Sequence, residues 1–444
     1  MAISQNFPNT RPSLNLNFAR SKTLDPRITF IRIQTGSEAS YVDESGIIRY
    51  ASADEPRFDH DPETSRCLGL MIEEQQTNLC FYGTTIQNFT GRAGATKTAN
   101  AATSPEGTTT ATRLQGDGTQ NPYYDDNTNK TYTSGVTYTF SCFFKANGTD
   151  LVVILLYGAN WTGADGTSNV VGKFDLTNET TIDQDTDGNN TTRNPSGGAK
   201  IESYPNGWYR CSITETCTTT HTQIHQFIRP IGFSADIYAW GYQIEADKDR
   251  SSLIPTTTNA TVTRNSDNAY FDDISDFFNI NEGTAVFTYS PRFDDVYNDA
   301  FALLFTFSST ANSNKIGFAG NSNNSQLYFN NYSTLIDGGS FTYLTPGVPA
   351  RNVTERILVS YASTYLRMYS DELAPASTGS FNRDDLIPLQ VSGISTYTSS
   401  MDGLVFGSGS KGTANGKVNL NIETFVYYPS EVGISNGKTL SKNP

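Results

Sequence analysis

Apolar and polar side chains alternate with a period of two in several long stretches of this chain. The alternation is clearest in residues 136–144, 208–214 and 236–244. Because successive side chains of a β-strand point to opposite faces, each stretch predicts a strand with one buried and one solvated face. Turn signals such as Asn147-Gly148 and Asn206-Gly207 separate these stretches. Many short strands joined by polar turns predict antiparallel sandwiches or jelly rolls.

The composition favours the same fold class and provides the means to build a core. The chain is rich in Thr, Ser, Asn and Gly, which suit strands and turns better than helices. Aromatic residues make up 12% of it, enough for a core of large rings. Its 444 residues leave room for roughly two or three domains. We therefore predict an all-β protein with an N-terminal extended arm followed by two tandem antiparallel β-sandwich (jelly-roll) domains.

The predicted arm comprises residues 1–80. Because it has few apolar positions, it is predicted to form only a small hydrophobic core of its own. Within it, Ser45-Gly46 is a hairpin signal between two short strand-like pieces. We interpret this segment as an arm or adaptor that leans on a partner or on the next domain. Residues 81–262 form the first predicted sandwich and residues 268–444 the second, joined by a polar extended stretch.

Charge and hydropathy exclude several classes of partner. The formal net charge of −14 repels phosphate backbones, so no nucleic-acid binding is expected. No run approaches the roughly 18 apolar residues of a membrane helix, and the N-terminus lacks a signal peptide. We therefore expect no membrane insertion, and release by cell lysis would explain a location outside the cell. The cysteines show no metal-ligand spacing and are expected to be thiols, with a Cys142–Cys211 bridge as the alternative.

No linear motif of a nucleophilic, metal-dependent or nucleotide-binding enzyme occurs, so the chain is expected not to be an enzyme. The adjacent pair Glu73-Glu74 would face opposite sides of a strand and could not flank one glycosidic bond. Two carboxylates from distant strands would leave no linear trace, which keeps a hidden hydrolase site as an alternative.

One segment has the spacing of a cation-binding loop. Asp183, Asp185 and Asp187 alternate before Gly188, as the first ligands of a calcium loop do. The twelfth position of such a loop should be Glu but is Asn194 here. A solvated acidic hairpin tip and a weak calcium site are therefore both open, and no other cofactor is expected.

Aromatic residues in loop-like sequence are the candidates for sugar contact. Sugar-binding sandwiches stack pyranose rings on Trp and Tyr, and polar side chains supply hydrogen bonds. Tyr123, Tyr124, Asp125 and Trp161 fit this picture, and packing or a subunit interface is the alternative explanation for the aromatics. Trp208 and Trp240 lie in predicted strands and are expected in the core.

Three groups of segments resemble known protein modules. The segments PSLNLNFARSKTLDPRITF, YVDESGIIRYASADEPRFDHDP and LGLMIEEQQTNL resemble a recurrent N-terminal module of phage virion proteins, described as tail fibre, head fibre or minor structural proteins. The segments NGWYRCSIT and IYAWGYQIEADKDRSSLIPTTTNATVTRNSDNA resemble the carbohydrate-binding-module-like sandwich that often follows it. The segment VNLNIETFVYYPSEVGISNGKTL is similar to the end of concanavalin A-like (LamG-like) jelly rolls.

This resemblance implies a structural appendage on the outer surface of a phage particle, on the tail or the capsid. Residues 1–80 would dock on other virion proteins, and the sandwiches would bind host-surface glycans without catalysis. The second sandwich is expected to be the better candidate for this binding. A homotrimer is the expected assembly, by resemblance alone. The alternatives are a capsid decoration or head-fibre protein that cements the capsid, and a carbohydrate-active depolymerase or lectin-like protein.

Overall fold

The structure is a computed structural model, and it confirms the all-β class. It describes residues 11–32, 39–163, 169–183, 192–223, 226–292, 302–308, 315–321, 326–331, 342–344, 353–362, 365–370, 391–392, 401–407 and 418–432. Within these ranges the helical pieces are short, namely α1 (Phe18–Ser21) and single 3-10 turns at Ile86–Asn88 and Pro205–Gly207. No helix among the described residues has the length and apolar character to cross a membrane.

The N-terminal segment supplies short strands that pair with distant parts of the chain. They are β1 (Leu14–Asn17), β2 (Ile28–Ile31), β3 (Ala39–Val42), β4 (Ile48–Ala51), β5 (Phe58–His60), β6 (Cys67–Ile72) and β7 (Gln76–Asn78).

The next strands build a central sandwich of two antiparallel sheets. They are β8 (Thr90–Arg92), β9 (Ala95–Ala102), β10 (Ala111–Gly116), β11 (Tyr123–Asp125), β12 (Lys130–Tyr132), β13 (Thr137–Ala146), β14 (Leu151–Leu156), β15 (Asn169–Asp175), β16 (Thr180–Ile182), β17 (Thr192–Arg193), β18 (Ala199–Tyr204), β19 (Trp208–Thr216), β20 (His221–Gln223), β21 (Gln226–Pro230), β22 (Asp236–Glu245) and β23 (Val262–Arg264). Sheet I has the order β18-β19-β13-β22-β10-β9, and sheet II has the order β16-β15-β14-β21-β11-β8.

The side-chain alternation of these strands explains why the two sheets face each other. Phe140 and Ile213 of sheet I and Ile154 and Ile228 of sheet II are fully buried in one hydrophobic cluster. Their strand neighbours point to the outer faces, as the period of two requires. Two strands outside these sheets, β12 and β20, pair with each other, and β23 pairs with β7.

The remaining strands build the C-terminal sandwich. They are β24 (Asn268–Phe271), β25 (Glu282–Pro291), β26 (Ala302–Ser308), β27 (Lys315–Asn321), β28 (Gln326–Asn331), β29 (Thr342–Leu344), β30 (Glu355–Ala362), β31 (Tyr365–Ser370), β32 (Val391–Ser392), β33 (Gly403–Phe406) and β34 (Leu420–Tyr428). Sheet III has the order β32-β31-β30-β25-β34-β6-β5, and sheet IV has the order β2-β24-β33-β26-β27-β28-β29. Rings from both sheets meet in the core, where the centroids of Phe305 and Phe425 lie 5.3 Å apart.

The N-terminal segment is part of the C-terminal sandwich and not a separate arm, which corrects the predicted boundary. Strand β1 pairs with β34 from Leu14 opposite Tyr427, and β6 pairs with the same strand further along. Strand β2 pairs with β24 in sheet IV. The apolar residues of the segment looked too few for a core of their own, and they are buried in the shared core of sheets III and IV. The central sandwich is thus inserted between two parts of the C-terminal one.

The predicted hairpin at Ser45-Gly46 is confirmed, and it docks on the central sandwich. Strands β3 and β4 pair with Val42 opposite Ile48. Ile48 packs against Trp208 and Trp240 on the outer face of sheet I, and both tryptophans are buried. The Ser40 hydroxyl donates to the Leu253 carbonyl at 2.7 Å, which fixes the hairpin from a second side.

A buried ion cluster lies where the N-terminal segment meets both sandwiches. Arg57 contacts Glu73 at 2.8 Å and Asp267 at 2.5 Å, and all three side chains are fully buried. Burial alone would raise the pKa of Glu73, but the charges of Arg264, Arg292 and Arg57 hold it well below its usual range. The Glu73-Glu74 pair is accordingly structural, since Glu74 accepts a hydrogen bond from the Asn419 amide at 2.6 Å.

Candidate glycan-binding face

The outer face of sheet II combines a floor of apolar side chains with partly exposed aromatic and cationic side chains. Val153 and Leu155 of β14 point away from the sandwich core and cluster with Val171 and Phe227. In register, Val153 lies between Arg229 of β21 and Lys173 of β15. Both cationic residues are partly exposed. We call this surface the sheet II face.

Tyr123 extends the sheet II face across β11. Because Tyr124 is in register with Ile228, Tyr123 lies beside Arg229. The guanidinium carbon of Arg229 lies 4.9 Å from the Tyr123 ring centroid, and the Phe227 ring centroid lies 5.1 Å from it. Phe227 is buried and supports the Tyr123 ring, which is partly exposed. An exposed aromatic ring beside a guanidinium can stack on a sugar ring, and the guanidinium can donate hydrogen bonds to it.

Arg229 carries a charge that no described residue neutralises. Its Nε and Nη1 atoms are shielded from solvent and find no hydrogen-bond acceptor among the described residues. Burial lowers the pKa of its guanidinium, against an opposing influence of Tyr123. By contrast, Arg92 on the adjacent strand β8 contacts Asp125 at 3.2 Å. The sheet II face therefore presents an unmatched cation near its centre.

Of the four predicted glycan contacts, only Tyr123 is placed on the sheet II face with partial exposure. Asp125 is fully buried and occupied by Arg92 and by the backbone N–H of Asn127. Tyr124 points the other way into the sandwich core, where its hydroxyl donates to the Gln115 carbonyl at 2.6 Å. The prediction that Tyr124 lies in an exposed loop is wrong, because it belongs to a strand whose adjacent residues face opposite sides.

Trp161 is also buried, in contrast to the loop exposure predicted from its glycine-rich surroundings. It forms an isolated β-bridge with Cys217 that carries its ring inward. The ring centroid lies 4.9 Å from that of Tyr132 and 5.8 Å from that of Phe140. A ring enclosed in this way offers no face to a sugar, so Trp161 contributes stability instead.

The predicted cation loop falls largely outside the described residues. Asp185 and Asp187 are not described, and Asp183 accepts a hydrogen bond from the Asn194 amide at 2.6 Å. No group of three or more potential metal ligands occurs among the residues that are described. The weak calcium site and the solvated tip therefore both stay predictions. All five cysteines are free thiols, including Cys142 and Cys211, which lie opposite each other in register.

A groove of about 720 Å³ lies between residues 61–63 and β18. It is acidic, and the Glu179 and Glu202 carboxylates of its lining have internal partners. Glu179 accepts hydrogen bonds from Ser203 and Tyr209, and Glu202 contacts Arg250 at 3.2 Å. This groove has no aromatic lining, which makes it a poorer sugar platform than the sheet II face.

Two residues of the sheet II face were missed from the sequence, although their signal is present. Phe227 and Arg229 alternate with buried Ile228 in the stretch QFIRP, as a half-buried strand requires. The stretch is short and ends in proline, so its period of two is visible over only a few residues. Local sequence also does not show which strands pair with β21. One of them is β11, which contains Tyr123.

No family model and no curated protein matches the sequence. Among solved structures, the carbohydrate-binding module CBM40 of the Ruminococcus gnavus IT-sialidase is 14% identical, with 37% of this chain and 84% of that chain covered and a TM-score of 0.26. The Trypanosoma rangeli sialidase with the inhibitor DANA is 14% identical, with 44% and 28% covered and a TM-score of 0.29. Domains LG4-5 of the mouse laminin alpha1 chain are 9% identical, with 80% and 95% covered and a TM-score of 0.24.

The predicted resemblance to carbohydrate-binding-module-like and LamG-like sandwiches is matched by structures of both kinds. In the first T. rangeli sialidase structures the match spans 22–28% of that protein's chain.

The expectation that the chain is not an enzyme is contradicted by this comparison. Sialidases, which are enzymes, are among the similar solved structures. The absence of linear catalytic motifs is therefore not sufficient to exclude catalysis. The low identity and small coverage of these matches do not assign an activity in its place.

Proposed function

We propose that this chain is a glycan-binding structural appendage of a phage particle, with the sheet II face as its sugar-binding surface. The observation that carries the proposal is the arrangement of Tyr123, Phe227 and Arg229. The two ring centroids lie 5.1 Å apart, beside a guanidinium whose Nε and Nη1 atoms have no hydrogen-bond partner among the described residues. Stacking surfaces with a few convergent hydrogen-bond donors are typical of sugar sites.

The virion role rests on the resemblance of the N-terminal segments to phage virion proteins. Because those segments are built into sheets III and IV, docking on other virion proteins would use a face of the C-terminal sandwich rather than a free arm. Several copies on one particle, as in the homotrimer implied by the resemblance, would multiply weak sugar contacts into firm attachment.

Sugar binding is tested by replacing Tyr123 with alanine and measuring the binding of the full chain to host surface polysaccharide by biolayer interferometry. We expect Tyr123→Ala to weaken binding about tenfold, which corresponds to one lost stacking contact. Tyr238→Ala is the matched control, because Tyr238 is a partly exposed tyrosine on sheet I. Equal effects of both variants would reject the sheet II face as the sugar site.

The virion location is tested by immunogold labelling of intact particles. Label on the tail or on a capsid fibre supports an appendage, and its position separates a tail fibre from a head fibre. Uniform label over the capsid faces would instead indicate a decoration protein. Particles that carry no label would reject a virion role altogether.

A further inference from the structure

The charged residues of the sheet II face form a row that crosses the sheet. Arg92 is in register with Tyr123, Tyr123 lies beside Arg229, and Val153 separates Arg229 from Lys173. With strands about 4.8 Å apart, the row spans roughly 20 Å, and Arg229 and Lys173 are separated by about 10 Å. A row of this length can contact several consecutive sugar units of an extended polysaccharide.

Two described carboxylates of the sheet II face, Asp125 and Asp175, already have partners. Asp125 is occupied by Arg92. Asp175, two residues from Lys173, is held by its own turn, where it accepts hydrogen bonds from the Thr177 backbone at 3.0 Å and the Asn178 amide at 2.8 Å. The Nε and Nη1 atoms of Arg229 have no hydrogen-bond partner among the described residues, and Lys173 is partly exposed. The centre of the row is therefore a cationic patch on a chain of net charge −14.

We propose, on the basis of the proposed glycan-binding function, that the sheet II face selects glycans that carry carboxylate groups, such as uronic acid polysaccharides. A guanidinium without a counter-charge is unfavourable. Because Arg229 is partly exposed, a glycan carboxylate placed beside its accessible edge would supply that counter-charge through a charge-assisted hydrogen bond. Tyr123 stacks on the same sugar, and Lys173 contacts a carboxylate further along the chain. Elsewhere the acidic surface repels such a ligand, so the patch also fixes where it binds.

The test compares native acidic polysaccharides with their carboxyl-reduced forms, which keep the sugar backbone and lose the charge. The full chain is titrated with polygalacturonate, alginate and hyaluronan, each in both forms, by biolayer interferometry. We expect at least one native polysaccharide to bind about tenfold or more tightly than its reduced form, with an affinity that falls as salt is raised.

Two variants locate the preference. Arg229→Gln is expected to bring the native form to the affinity of the reduced form, and Lys173→Gln to weaken the native form by about threefold. Arg229→Lys restores part of the preference if charge and not packing matters. Lys145→Gln is the control, because it removes the same charge from sheet I and should change nothing. A thermal melt of each variant confirms that it is folded.

The outcomes separate this inference from the proposed function. Equal binding of native and reduced forms, or a preference that survives in Arg229→Gln, would overturn the choice of carboxylates while sugar binding stands. Binding of dextran sulfate in preference to every carboxylated polysaccharide would also overturn it. If neither these polysaccharides nor host surface polysaccharide binds, the proposed function itself fails.

Discussion

Tyr123 and Tyr124 are neighbours in sequence with opposite roles, and the difference comes from the strand that contains them. Tyr123 points to the sheet II face, and Tyr124 is enclosed in the core between sheets I and II. Burial raises the pKa of the Tyr124 hydroxyl, which its hydrogen bonds to backbone carbonyls only partly oppose. Composition suggested a loop for both, since the flanking residues are polar and glycine-rich. Only the pairing with β21, distant in sequence, determines which ring is exposed.

Replacement of Trp161 by alanine should lower the free energy of unfolding by about 3–5 kcal/mol, because it empties a large buried volume. Urea denaturation of the full chain measures this loss. Phe233→Ala is the control, since the Phe233 side chain is 54% exposed and its loss should matter by less than about 0.5 kcal/mol. A Trp161→Ala protein of unchanged stability but weaker sugar binding would restore the interpretation of Trp161 as a sugar platform.

Among the elements, the β3–β4 hairpin shows how far local sequence reaches. Its turn is visible in Ser45-Gly46, and Gly46 does adopt a positive φ of 74°. The strand alternation likewise predicted β13, β19 and β22 at nearly their observed positions. The sequence did not reveal what the hairpin covers, because the contact of Ile48 with Trp208 and Trp240 joins residues some 160 to 190 positions apart. The period-two alternation in the sequence is enough to predict individual strands. How those strands pack depends on contacts between residues that are far apart in sequence, which local patterns do not show.

Gly46→Ala should loosen this hairpin. A Cβ atom there would overlap the ring of Pro205, and the positive φ adds strain. We therefore expect the free energy of unfolding to fall by about 1–3 kcal/mol. Tryptophan fluorescence reports the change, since Trp208 and Trp240 lie beneath the hairpin. Gly135→Ala is the matched control, with a φ of 81° and nothing within 4 Å of its Cβ position. Equal losses in both variants would show that strain alone, and not the Pro205 contact, is responsible.

For the whole molecule, the main correction concerns residues 1–80. Their sequence is poor in apolar positions, which predicted an arm or adaptor that leans on a partner or on the next domain. The apolar residues that the segment does have are buried, and Leu14, Phe18, Phe30 and Ile72 all lie in the core of the C-terminal sandwich. A split domain of this kind has no signature in local sequence, because its two parts flank a central sandwich with a core of its own.

Deletion of residues 1–80 should therefore unfold the C-terminal sandwich and leave the central one folded. It removes β1, β5 and β6 from sheet III and β2 from sheet IV, together with the core residues that they carry. Limited proteolysis followed by mass spectrometry distinguishes the two sandwiches, with a protected fragment expected near residues 81–264. The full chain, digested in parallel, is the control and should show both sandwiches protected. Protection of both sandwiches in the deletion variant would restore the arm.

The ion cluster should couple the stability of this junction to pH. Removal of the Glu73 charge in Glu73→Gln leaves the charges of buried arginines uncompensated. We therefore expect the free energy of unfolding at pH 7 to fall by about 3–5 kcal/mol. Glu423→Gln is the control, because Glu423 contacts Arg66, which is 43% exposed, and such pairs contribute about 1 kcal/mol or less.

The sign of the pH effect follows from the pKa of Glu73, which lies well below its usual range in the folded protein. A carboxyl group of this kind contributes its stability above the unfolded pKa, near 4.3, and loses it as the pH falls toward the folded pKa. The difference in unfolding free energy between the wild type and Glu73→Gln should therefore be constant from about pH 6 to 7 and shrink below about pH 4. Urea denaturation across this range measures it. A difference that stays constant down to pH 3 would mean that Glu73 acts through packing and not through its charge, since only the charge is lost on protonation.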